Sequence, residues 1–238
     1  MSRRLRKSEG PLGRYVTCGL GSAWMKTSKI RYVGDARVRK LLREYGCPTP
    51  FHAVRMRFLG NIATPRLDAS PLQVIDKLWG GELPEFEDVA GANELFQALM
   101  SFWNHLAKHQ SRSKPFRLVH EPLEPRRDDL LVLCQTRTEE LEGFFDGLFG
   151  DEEMVDLPER AVEGMEHLGK INAMVHGVVR LLEDPDQSGT DQELADTFRN
   201  VKEISRIAED ELHAVVLTCV EARREGLRQT GVQRRTVH

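Results

Sequence analysis

Between residues 158 and 226, apolar side chains return every three or four positions with one short interruption. Val162, Met165, Leu168, Ile171, Val175, Val178 and Leu182 keep this period first. Leu194, Phe198, Val201, Ser205, Ala208, Leu212, Val215, Cys219 and Ala222 then keep it again. That spacing lines one face of a helix, and an apolar helix face must be buried against another element. The interruption, Asp184-Pro185-Asp186-Gln187-Ser188-Gly189, is short, so the two helices are expected to be antiparallel neighbours. Asp156 with Glu159 predicts the cap of the first helix, and Thr190 with Glu193 predicts a capping box on the second. The second helix is expected to reach Gly226, a length of roughly 50 Å.

The rest of the chain also reads as helix. Short helices are expected over about 35–45, 52–63 and from Ser70-Pro71, where serine is an N-cap and proline sits in the first turn. Gly80-Gly81 is the expected stop of the third, because glycine tolerates the left-handed C-terminal conformation. Residues 92–108 are amphipathic, with Leu95, Leu99, Phe102, Trp103 and Leu106 on one stripe. Ser111 to Pro125 reads as loop. A helical pattern resumes over 128–149, where Gly143 and Gly147 are expected to break it. Strand signals are poor throughout. Glycines at 143, 147, 164, 169 and 177 each cost a helix about 1 kcal/mol relative to alanine. Close helix–helix approach is the expected offset.

The predicted fold is all-α: a multi-helix orthogonal or bundle domain ending in a long antiparallel helix pair, preceded by a weakly structured basic arm. Gly46-Cys47-Pro48-Thr49-Pro50 predicts a boundary. Residues 1–50 are then a partly disordered basic arm. Residues 51–226 are the helical domain, divided into core helices over 51–150 and the long pair over 156–226. Residues 227–238 are a basic tail. An alternative start at Met56 would make part of 1–54 upstream sequence.

Composition narrows the function classes. Hydrophobic residues at 40% and charged residues at 30% supply both a core and a solvated surface. No apolar run is long enough for a membrane span, and no apolar segment follows the N-terminal arginines as in a secretory signal. Cys18, Cys47, Cys134 and Cys219 are scattered, which points to free thiols in a reducing cytoplasm. Residues 1–50 carry twelve Lys and Arg against three Asp and Glu, within a chain of net charge −3. A basic arm on an acidic body could contact nucleic acid: Arg3, Arg4, Arg6 and Lys7 would meet phosphates while Tyr15, Trp24, Tyr32 and Tyr45 stack on bases.

Signals for chemistry are weak. His105 and His109 lie one turn apart, a spacing that can offer two imidazoles to a metal, but Leu106 stands where a zincin carries glutamate. Glu163 with His167 and Glu209 with His213 are ordinary i, i+4 pairs. Glu139, Glu140, Glu142 and Asp146 form an acidic run, as do Asp151, Glu152 and Glu153; a solvated face accounts for both. No phosphate-binding glycine loop and no nucleophile elbow is present. No catalytic residue, metal or cofactor is therefore expected.

Several segments together resemble the YecA/YgfB-like family of bacterial proteins. They are Phe58-Leu59-Gly60-Asn61-Ile62-Ala63 with Ala69-Ser70-Pro71, then Leu78-Trp79-Gly80-Gly81-Glu82-Leu83-Pro84-Glu85-Phe86, then the helix with Met100, Trp103 and Asn104, and last Glu142-Gly143-Phe144-Phe145-Asp146-Gly147-Leu148. The resemblance covers about residues 51–226. It implies an all-helical cytoplasmic protein without established catalytic activity, acting by binding other proteins, transcriptional regulators among them. The Cys-rich C-terminal zinc motif of the YecA branch is missing; the chain ends Arg234-Arg235-Thr236-Val237-His238.

The expectation is accordingly a non-enzymatic, regulatory protein-interaction module, with a homodimer also expected. The candidate contact residues are Trp79, Gly80, Gly81, Leu83, Pro84, Phe86, Trp103, Gly143, Phe144 and Gly147. The alternatives are nucleic-acid binding through residues 1–50 and a metal-dependent hydrolase built on His105 and His109.

Overall fold

The protein is represented by a computed structural model that describes residues 31–152, 155–187 and 189–235, with side chains described as far as residue 229. Among these residues there are seven α-helices and no strand. They are α1 (Asp35–Glu44), α2 (Phe51–Ala63), α3 (Pro71–Lys77), α4 (Val89–Leu106), α5 (Arg127–Phe149), α6 (Glu159–Glu183) and α7 (Asp191–Arg235).

The centre of the body is α2. Ten of its thirteen residues are buried, the pattern of a helix enclosed on all sides rather than laid on a surface. It runs parallel to α5 along a seam where both helices use glycine. A Cβ at Gly143 would sit 2.8 Å from the Ala53 carbonyl oxygen, and one at Gly147 or Gly60 would overlap the facing backbone outright. The glycines at 143 and 147 therefore do not break α5, which is continuous through both. They let two backbones touch, and the dispersion gained along the seam offsets their poor helix propensity.

From α5 the chain folds back as α6 and then α7. Glu142 meets His176 and Gln135 meets Glu183, so α5 and α6 are antiparallel. Gly164 faces Val215 far from the connecting loop, so α6 and α7 are antiparallel too. The predicted capping box is present: Thr190 N–H donates to Glu193 at 2.8 Å and Glu193 N–H to the Thr190 hydroxyl at 3.3 Å. The predicted Asp156 cap is not. Pro158 is the N-cap of α6, without a side-chain bond. At 45 residues, α7 extends to Arg235, about 67 Å, further than the apolar period indicates. At the other early signal, Ser70 caps α3 as expected and exchanges bonds with Gln73 in a capping box.

The boundary expected near residue 50 falls inside the body. Val38, Leu41 and Leu42 of α1 are buried in the same core as α2 and α4. The breaker Gly46-Cys47-Pro48 is only the turn between α1 and α2, because a three-residue apolar face suffices to dock a short helix. Residues 1–30 of the predicted arm, and residues 236–238 of the predicted tail, lie outside the described residues. No described helix is long and apolar enough to cross a membrane.

A buried charged network pins the irregular segment before α5. Arg137 and Glu140, 3% and 0% exposed, are paired within α5. Arg137 also donates to the Ser205 hydroxyl at 3.0 Å and to the Val119 carbonyl. Glu140 accepts the Val119 N–H at 2.9 Å. Buried Glu209 of α7 accepts the Leu118 N–H at 2.9 Å, an Arg117 N–H at 2.8 Å, and a bond from His120 at 3.0 Å. Residues 117–120 thus obtain backbone partners from two helices without forming secondary structure of their own. Burial pushes the Glu140 carboxyl up, against the pull of Arg137 and the Val119 N–H.

Candidate functional site

A cleft of about 620 Å³ is bordered by the C-terminal ends of α2 and α5, by α3 and by the turn after α3. Each wall follows from local sequence. Gly80 and Gly81 adopt φ of 78° and 93°, a left-handed pair open to glycine and strained for most other residues. Their N–H groups return to the Lys77 and Asp76 carbonyls at 3.1 and 3.2 Å, closing α3. The turn leaves the mouth of the cleft without side chains. Gly147 also lines the cleft, but its missing side chain faces the Arg57 backbone of α2 and serves the packing of the two helices.

Charge alternates around the opening. Arg57 reaches out of α2 and donates to Asp146 at 3.0 Å and to the Lys77 carbonyl at 3.4 Å. Arg66 forms a two-point pair with Asp68 at 3.0 and 2.8 Å and meets Glu152 at 3.4 Å. Lys77 pairs with Asp151. The Arg66 pairing holds the Asp68 carboxyl below its ordinary range. Deeper in, Thr64 is 2% exposed, and neither its hydroxyl nor the buried Arg57 Nε has a hydrogen-bond partner among the described residues. No histidine, cysteine or serine lines the cleft. Its chemistry is hydrogen bonding and ion pairing of both signs.

Only Gly80, Gly81 and Gly147 of the expected contact residues border this cleft. Trp79 is half-buried and donates its indole N–H to the Tyr45 carbonyl at 2.8 Å. Phe86 packs between Tyr45 and Phe96, with ring centroids 5.2 and 6.4 Å away. Both aromatics therefore anchor the loop to the body instead of projecting from it. Pro84 is half-buried, and Leu83 is 43% exposed. Trp103 donates to the Asn61 side chain at 3.2 Å. Phe144 is fully buried, and Gly143 is sealed against Ala53.

The remaining candidates are dispersed. Among the described residues no group of three or more His, Cys, Asp or Glu is gathered closely enough to hold a metal ion. His105 accepts from Lys108 at 2.7 Å and stacks on Tyr32. His109 donates to the Lys114 carbonyl at 2.9 Å and meets the edge of Phe116. Burial lowers the pKa of both imidazoles. His167 pairs with Glu211 of α7 at 3.0 Å rather than with Glu163, and Glu209 serves residues 117–120 rather than His213. The acidic run on α5 is not a uniformly solvated face. Glu139 pairs with His52, Glu140 is buried, Glu142 pairs with His176 and Asp146 with Arg57.

Within the described part of the predicted basic arm, Arg37 pairs with Glu94, Lys40 with Glu44, and Arg39 covers the Phe51 ring. Of the aromatics expected to stack on bases, Tyr32 is stacked on Phe102 and Tyr45 packs tilted against Phe86. Arg3, Arg4, Arg6, Lys7, Tyr15 and Trp24 lie outside the described residues. Sequence reasoning missed Arg57, Arg66 and Lys77. Arg57 had a usable signal, a cation between Met56 and Phe58 in an otherwise apolar helix.

No family profile matches the chain, and neither a curated protein nor a solved structure matches it.

Proposed function

We infer that the chain is a non-enzymatic regulatory module that binds a partner protein in the cleft between α2, α3 and α5. One observation carries this reading. The cleft is wide, its turn is built of glycines that admit a main chain, and it is ringed by arginine, lysine and carboxylate side chains of both charge signs. An extended peptide bearing both charge signs can exchange the rim's own ion pairs for intermolecular ones, and exposed Leu83 just beyond the turn offers an apolar contact. The resemblance of Leu78–Phe86 and Glu142–Leu148 to the YecA/YgfB-like family supports the same reading.

The test is affinity capture with the full chain and with Arg66→Glu and Lys77→Glu, both on the rim. Arg199→Glu on α7, far along the chain from the cleft, is the control. Loss of the same partner from both rim variants, with its retention by the control, supports the proposal. Retention of every partner by both rim variants, with unchanged circular dichroism, refutes it.

A further inference from the structure

The glycines of α6 divide into two kinds. Gly164 is internal: a Cβ there would meet Val215 of α7 at 2.6 Å. Gly169 and Gly177 have nothing within 4 Å of the position a Cβ would take. They lie on the flank of α6 turned away from α5 and α7, and no described residue offsets their cost in helix propensity. Val162, 42% exposed, falls on this flank, while exposed Met174 and Leu181 lie about 80–100° round the helix to one side of it.

The charges on this flank are arranged with a symmetry of their own. Around Ala173, glycines stand four residues before and four after, at 169 and 177. Glu166 stands seven before, and Arg180 seven after. At 3.6 residues per turn these five positions fall within about 80° of arc, one continuous stripe. Glu166, Ala173 and Arg180 are exposed, and neither Glu166 nor Arg180 has an ion pair among the described residues. On neighbouring stretches the carboxylates are paired: Glu163 with Arg160, and Glu211 with both Arg160 and His167.

We propose that this flank of α6 binds the same flank of a second copy of the chain, antiparallel, about a two-fold axis at Ala173. That operation sets Gly169 of each copy against Gly177 of the other, so the helices approach as closely as α2 and α5 do inside one chain. It sets Glu166 of each copy against Arg180 of the other, forming two equivalent ion pairs, and covers exposed Val162. An isologous contact requires a surface complementary to itself under two-fold rotation. A glutamate and an arginine equidistant from a small central residue satisfy that condition. A parallel pairing would set like charges side by side.

The experiment is a charge-reversal cycle read by sedimentation equilibrium on the full chain. Wild type is expected to be a dimer at micromolar concentration. Glu166→Arg and Arg180→Glu alone each create two like-charge contacts and are expected to raise the dissociation constant about tenfold or more. The double variant restores the opposite pairing and is expected to recover the wild-type value. All these positions are exposed, so circular dichroism should be unchanged. As a second readout, in a background where Cys18 and half-buried Cys47 are replaced by serine and Cys134 and Cys219 are buried, Ala173→Cys is expected to yield a disulfide-linked dimer under mild oxidation, and the background alone is not. A monomer at every concentration, single reversals that leave the dimer intact, or a double variant no tighter than the singles would each overturn the proposal. The readouts do not involve the cleft, so their failure leaves the cleft reading untouched.

Discussion

α5 and α6 are neighbouring antiparallel helices of 23 and 25 residues, and both carry glycine inside the helix, yet they sit in opposite surroundings. Glycines in α5 are met by the backbone of α2, and its charged residues Arg137 and Glu140 are enclosed with the Val119 backbone and Ser205. α6 uses Gly164 in the same way against α7 but leaves Gly169 and Gly177 facing open space. A glycine in a helix is thus a vacancy of fixed size, and its meaning depends on what occupies the space beside it. On α5 the occupant belongs to the chain. On α6 the open positions coincide with exposed Val162 and unpaired charges.

This contrast can be broken most forcefully at Arg137. Replacement by alanine leaves the Glu140 carboxylate buried without its cation and is expected to lower stability by about 3–5 kcal/mol, measured by urea unfolding. A loss under 1 kcal/mol, on the order of a surface pair, would mean that α5 is less enclosed than its contacts indicate. Next comes Gly147→Ala, whose methyl would overlap the Arg57 backbone. Overpacking of that kind is expected to cost about 3 kcal/mol. The matching change on the open flank, Gly169→Ala, should act in the opposite direction. At concentrations too low for self-association it is expected to raise stability by about 1 kcal/mol through helix propensity alone. If both alanines destabilise alike, the distinction between the two helices fails.

The smallest expected effect is the pH dependence of the clamp between α6 and α7. Burial opposes the charge on Glu211, but hydrogen bonds from His167 and Arg160 outweigh it and hold the carboxyl below its ordinary value of 4.5. In this range the unfolded chain takes up the proton first. The contribution of Glu211 is therefore present above pH 4.5 and lost as pH falls through its lower folded value. Glu211→Gln is expected to flatten that part of the stability–pH curve, and an unchanged slope would remove the clamp from the account of α6.

Much of this could be read from the chain before it folds. Helical periodicity located α4 to α6 and the start of α7 to within a few residues, though α7 ends at Arg235 rather than Gly226, and local chemistry identified the Ser70 and Thr190 caps and the Gly80-Gly81 stop. These features depend on residues within one turn of each other, so neighbouring letters suffice. The expectation that glycines in helices mark close approach was met at Gly143, Gly147 and Gly164, and the partners, α2 and α7, became visible only in space. The same holds for Trp79 and Phe86. An aromatic in a glycine–proline loop reads as displayed, but whether it projects depends on Tyr45, which lies more than thirty residues earlier.

What sequence alone determined is the all-helical class, most helix limits and the amphipathic faces, because backbone hydrogen bonding and apolar periodicity are local. Tertiary structure alone decided which charged residues would be buried, which glycines would be filled, and where a cleft would open between α2, α3 and α5. Those outcomes rest on contacts such as Arg57 with Asp146 and Glu209 with Leu118, 89 and 91 positions apart. Electrostatics and packing act through distance in space, and the linear order of residues records that distance only after the chain has folded.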